Sequence, residues 1–125
     1  MDLPLEIEYW PIGDTLVIKH TEIKDADDAL VTDFTGWKFH ATLKAALSDD
    51  DASATKKINT SSFTVTDASS KAIGYMETES VRGTITLGND YYLDAQIIDA
   101  SGNVATVIRR LINFYQDTSK RTTDT

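Results

Sequence analysis

From Trp37 to Ala45 the chain alternates apolar and polar side chains almost without a break. Trp37, Phe39, Ala41, Leu43 and Ala45 fall on one parity, and Lys38, His40, Thr42 and Lys44 on the other. Side chains of an extended strand point to opposite faces in turn, so this period makes one buried and one solvated surface. A lone strand cannot hide such a face and has to join a sheet packed on a second layer. The same period recurs along the chain. Leu5, Ile7 and Tyr9 alternate with Glu6 and Glu8, which predicts an N-terminal strand with Ile7 and Tyr9 turned inward. Phe63 and Val65 alternate with Thr64 and Thr66, and Tyr91, Leu93, Ala95 and Ile97 with Tyr92, Asp94 and Gln96. Thr15 to Ile23 is rich in β-branched residues, with a bulge expected where the alternation falters at His20 to Glu22. Arg82 to Leu87 reads as a further strand. Ala72 to Thr78 is short and ambiguous, weakened by Gly74.

Turn chemistry separates these runs: Gly13-Asp14, Asp25-Ala-Asp-Asp28, Asp49-Asp-Asp51, Asp67-Ala-Ser-Ser70, Gly88-Asn-Asp90 and Ala100-Ser-Gly-Asn103. Strands broken by turns about every ten residues predict an all-β sandwich or barrel. One segment fits two readings. Val104, Val107, Ile108, Leu111, Ile112 and Tyr115 match helical spacing, whereas Val104, Ile108, Ile112 and Phe114 match strand spacing. The β-branched content and the preceding Ser-Gly-Asn turn favour the strand. Leu43 to Leu47 has the composition to begin a helical turn. Residues 118–125 contain no apolar side chain and read as a flexible polar tail behind one domain over residues 1–117.

Composition narrows the class. A chain of 125 residues with 41% hydrophobic and 26% charged residues suits one domain with one core. There is no cysteine, which excludes disulfides, thiolate metal sites and thiol catalysis. The start, Met1-Asp-Leu-Pro4, lacks the basic and apolar runs of a secretory signal. No stretch approaches the roughly 20 apolar residues that span a bilayer. The expectation is a soluble protein made in a cytoplasm. The net charge of −8 argues against nucleic-acid partners and against anionic membrane surfaces.

Catalytic machinery is not evident. Two histidines, His20 and His40, are too few for a histidine-rich metal site, and His40 falls on the polar side of its strand. An EF-hand loop beginning at Asp25 would need glycine at its sixth position and glutamate at its twelfth; Leu30 and Gly36 stand there. Asp49-Asp50-Asp51 reads as a solvated loop. No nucleophile elbow, phosphate-cradling glycine loop or zinc-helix motif occurs. The reading is a protein that is not an enzyme and carries no cofactor.

Trp37 and Phe39 read as core. Trp10 falls on the opposite parity from Ile7 and Tyr9, and Tyr92 on the opposite parity from Leu93, so both are expected at the surface. Arg109-Arg110 is the one adjacent arginine pair in the sequence. Exposed Trp, Tyr and Arg are the residue types enriched at interface hot spots. Trp10, Tyr92, Arg109 and Arg110 are therefore the candidate interface residues.

Three stretches, in order, add a family resemblance. They are Gly13-Asp14-Thr15 leading into a strand, Asp25-Ala-Asp27-Asp28 followed by Asp33-Phe-Thr-Gly-Trp-Lys-Phe39, and Asn89-Asp-Tyr-Tyr-Leu-Asp-Ala-Gln-Ile97 with Asp99-Ala-Ser-Gly102 and a closing strand. Together they resemble the immunoglobulin-like domain of phage tail and baseplate proteins, notably the N-terminal domain of baseplate upper proteins. Asp28 stands where that family tends to have glycine, and Ser48 to Ser62 has no counterpart in the pattern. The resemblance implies an immunoglobulin-like, two-sheet antiparallel β-sandwich of about seven to nine strands. It also implies a virion structural protein that assembles with other tail or baseplate proteins, and with copies of itself, and turns over no substrate. The alternative is a carbohydrate- or receptor-binding sandwich that uses Trp10 and Tyr92 as a stacking platform.

Overall fold

The structure, a computed structural model, describes residues 6–46 and 53–116. Eight strands form there: β1 (Ile7–Pro11), β2 (Leu16–His20), β3 (Lys38–Lys44), β4 (Lys56–Ile58), β5 (Phe63–Thr66), β6 (Lys71–Met76), β7 (Asp90–Ile98) and β8 (Val104–Tyr115). They make a five-stranded sheet ordered β1-β8-β7-β3-β4 and a three-stranded sheet ordered β2-β6-β5. No α-helix occurs among the described residues. The alternation at Phe39 does what period two requires. Phe39, Ala41 and Leu43 of β3 and Tyr91, Leu93 and Ala95 of β7 face inward, where they meet Leu16 and Ile18 of β2 and Ala72 and Met76 of β6.

The strand reading of residues 104–114 holds, because β8 pairs along its length with β7. Helical spacing in that run is partly produced by a bulge. Ala95 faces Ile108 but Gln96 faces Thr106, so Val107 is an inserted residue that shifts the parity. The ambiguous stretch resolves as β6, with Gly74 opposite Phe63.

Several expectations are corrected. The larger sheet is mixed, since β1 runs parallel to β8 from Ile7↔Leu111 to Pro11↔Tyr115. After Pro11 the chain crosses to the other sheet through Ile12 to Thr15, so β1 makes no hairpin with β2 and is left beside the last strand. Residues 82–87 are not a strand. A 3-10 turn at Glu79–Val81 is followed by tight turns, with the Thr84 and Ile85 amides donating to the Val81 carbonyl at 2.9 and 3.0 Å. Gly83 and Gly88 favour turning over extension, and Arg82 is held by Glu79 at 2.7 Å and the Ile12 carbonyl at 3.2 Å. β1 has the parity opposite to the one expected. Ile7 and Tyr9 face solvent, 41% and 66% exposed, while Glu8 and Trp10 are half-buried and Ile12 is buried. The apolar pair Trp10 and Ile12, together with an internal partner for Glu8, outweighs Ile7 and Tyr9. Trp37 precedes β3 and is only half-buried, edge-on to Phe34 at 5.4 Å; Ala45 lies past the strand and is exposed. β2 ends at His20, and Glu22, at φ 51, turns the chain away. Leu5, Leu47, the Asp49–Asp51 run and the 118–125 tail lie outside the described residues.

The two long sides of the sandwich each carry a charged tie. On one, Arg110 of β8 grips Glu8 of β1 through two bonds of 2.8 Å and donates to the Val17 carbonyl of β2 at 2.9 Å. On the other, Lys56 of β4 binds Glu77, just beyond β6, and Ser80. The Lys56 ammonium, with help from Ser80, holds the Glu77 carboxyl down at about 2.

Candidate functional site

Aspartates in the acidic turns cap the backbone. Asp25 accepts from the Asp27 and Ala29 amides at 2.9 and 3.1 Å, and Asp33 accepts from the Thr35 amide and hydroxyl at 3.0 and 2.7 Å. Asp99 accepts from the Ser101 and Asn103 amides, both at 2.9 Å. These bonds favour the ionised forms of Asp33 and Asp99 and lower their pKa values. Asp28 sits at φ 63, a left-handed position that suits glycine and that Asp tolerates. Such aspartates set loop shape. Among the described residues no three His, Asp or Glu side chains converge to hold a metal, and no helix is long and apolar enough to cross a membrane.

Solvent-facing apolar area concentrates on the outer face of the five-stranded sheet. Partners across a ladder share a face, so Ile7, Leu111 and Tyr92 form one row over β1, β8 and β7, with strands about 4.8 Å apart. Tyr9 and Tyr115 lie further along on the same face; Tyr115 is 47% exposed. A polar border follows. Arg109 pairs with Asp94 at 2.9 Å, and Asn113 ties the Gly88 carbonyl and the Asp90 carboxylate, both at 2.9 Å. The sequence matches no protein-family model and no curated protein. The site is therefore defined by its geometry.

Of the four residues expected at an interface, only Tyr92 and Arg109 share this face. Trp10 is opposite Phe114, which is fully buried, and packs against the core. Arg110 points to the core side of β8 and is engaged by Glu8, whose pKa Arg110 lowers. Trp10 and Tyr92 thus lie on opposite faces of one sheet and build no common stacking platform. The residues that sequence reasoning missed are Ile7, Tyr9, Leu111 and Tyr115. The available signal was the Trp10–Ile12 pair, whose parity carries through Pro11 and forces Ile7 and Tyr9 outward.

A second surface lies where β8 extends past the start of β1. Ile23, Trp37, Ile97, Val104 and Val107 line a shallow groove of about 190 Å³. It continues along Lys19, His20 and Ile108 into one of about 360 Å³. His20 is buried between Phe39 and Phe63, its Nε2 lacks a hydrogen-bond partner, and burial lowers its pKa.

Proposed function

We propose that this chain is an immunoglobulin-like docking module of a bacterial-virus tail or baseplate, acting by protein–protein contact and turning over no substrate. The observation that carries the docking reading is the outward row of Ile7, Leu111 and Tyr92 with Tyr9 and Tyr115 beside it. Aromatic and aliphatic side chains on a rigid sheet present contact area at little cost in conformational entropy. The polar groups of the acidic turns and of the two charged ties cap backbone and hold the sheets together, which supports a role in assembly.

Strand order supports the immunoglobulin-like reading. β2-β6-β5 corresponds to the B-E-D order of such sandwiches, and β8-β7-β3-β4 to G-F-C with a C′ strand added. The turns carrying the tail-protein resemblance are the aspartate-capped ones at Asp25, Asp33 and Asp99, which gives those motifs a structural reason. The proposed location is the virion.

Mass spectrometry of particles purified from cells that produce the protein tests this reading. The chain is expected in the tail fraction at a fixed ratio to the tail proteins. A particle preparation with intact tails and none of this chain would refute it.

A further inference from the structure

Trp37 has a side chain that the alternation places inside, yet it is only half-buried. Its indole packs against the core and meets Phe34 edge to face, with ring centres 5.4 Å apart, which holds it in one orientation. The part left in solvent forms a wall of the groove of about 190 Å³ between the β7–β8 end and the loop after β2. That volume is below the range of pockets for drug-sized ligands and suits a single long side chain.

Two tight turns frame this groove. In one, the Asp25 amide donates to the Ala29 carbonyl and the Val31 amide to the Ile23 carbonyl, both at 2.9 Å; in the other, the Asp99 amide donates to the Asn103 carbonyl at 3.0 Å. Each turn sets an aspartate in the lining, Asp25 and Asp99, beside the apolar Ile23, Ile97 and Val107. Both amide bonds to the Asp25 side chain end on Oδ1, and its Oδ2 has no partner among the described residues. Lys24, the cation in the lining, is drawn toward Asp28 at 3.5 Å. An indole, aliphatic side chains and two carboxylates together select a ligand with an apolar stem and a flat cationic head. Arginine lays its stem on apolar surface, stacks its guanidinium on an indole and pairs with carboxylates through its N–H groups. Lysine meets the charge without the stacking plane. The net charge of −8, with Asp27 and Asp33 exposed on the same segment, steers a basic partner toward this end.

We propose that this groove receives an arginine side chain of a partner protein, with Trp37 stacking on the guanidinium and Asp25 and Asp99 pairing with it. The proposal rests on the reading of the chain as a docking module. It adds a second contact, at one end of the sandwich, to the one on the outer face of the larger sheet.

The test titrates the peptide acetyl-Ala-Arg-Ala-amide into the isotope-labelled full chain and follows the indole N–H signal of Trp37 by NMR, identified with Trp10→Phe. A saturable shift is expected, with a Kd of about 1–10 mM for so small a probe. The citrulline peptide has the same shape without the charge and binds at least about fivefold more weakly. Asp25→Asn keeps both amide bonds through its Oδ1 and removes the charge, so arginine binding weakens about two- to fivefold while the melting temperature is unchanged. No shift up to about 50 mM peptide overturns the proposal, as does equal binding of the citrulline peptide or indifference to Asp25→Asn. Binding that appears only after removal of residues 1–5 assigns the groove to the chain's own first residues and also overturns it. None of these results bears on the outer face, whose role is read from tail particles.

Discussion

Phe63 lies over Gly74, its partner across the β5–β6 ladder, and a Cβ added to Gly74 would come within 2.5 Å of the ring. The missing side chain is thus a packing requirement, with the ring covering the glycine. Gly74→Ala forces that ring to move against Phe39 and His20; a loss of about 1–3 kcal/mol in urea unfolding is expected, typical of overpacking. His20 adds a pH dependence. Its folded pKa lies below the ordinary histidine value because burial disfavours the cation. The sign follows from linkage: full stability holds above the unfolded value of about 6.5 and is lost as pH falls toward the lower folded value. His20→Phe fills the same aromatic gap without a charge to bury. Melting curves between about pH 7 and 5 should fall for the wild type and flatten for the variant over the range where histidine titrates.

At the scale of elements, the crossover from β1 to β2 hangs on Thr78. Its buried hydroxyl accepts from the Gly13 amide at 2.9 Å and donates to the Asp14 carbonyl at 2.7 Å, fixing the turn that sends the chain from one sheet to the other. Gly13 itself sits at φ 99, in the left-handed region. Thr78→Val keeps the shape and removes both bonds, leaving two backbone groups without that partner. A loss of about 1–3 kcal/mol is expected in chemical denaturation. The Arg110–Glu8 tie belongs to the same scale. It explains why β1 turns a glutamate inward, and why an arginine that looked like a surface residue in the sequence is internal to the fold.

For the whole molecule, the two layers were legible because β3 and β7 carry uninterrupted alternation. Phe39, Leu43, Leu93 and Ala95 were all placed inward by parity alone. β8 was harder because one inserted residue, Val107, made a bulged strand mimic helical spacing. The parity of β1 was misread because the local pattern of Leu5, Ile7 and Tyr9 is consistent with burial, while the deciding partners, Arg110 and Phe114, are about a hundred positions away. The parallel placement of β1 had no local signal at all. Candidate interface residues fared accordingly: Tyr92 and Arg109 are on the outer face, Trp10 and Arg110 are not, and Ile7 and Tyr9 emerged only from the fold. The central claim is that this outer face is where the molecule meets its partners. The most direct measurement is incorporation of an Ile7→Ser, Tyr9→Ser double variant into tail particles, quantified against wild type at equal expression. Both side chains are exposed, so the melting temperature should stay within about 3 °C. The account predicts a folded, soluble protein that is missing from the particles; incorporation at the wild-type level would contradict it.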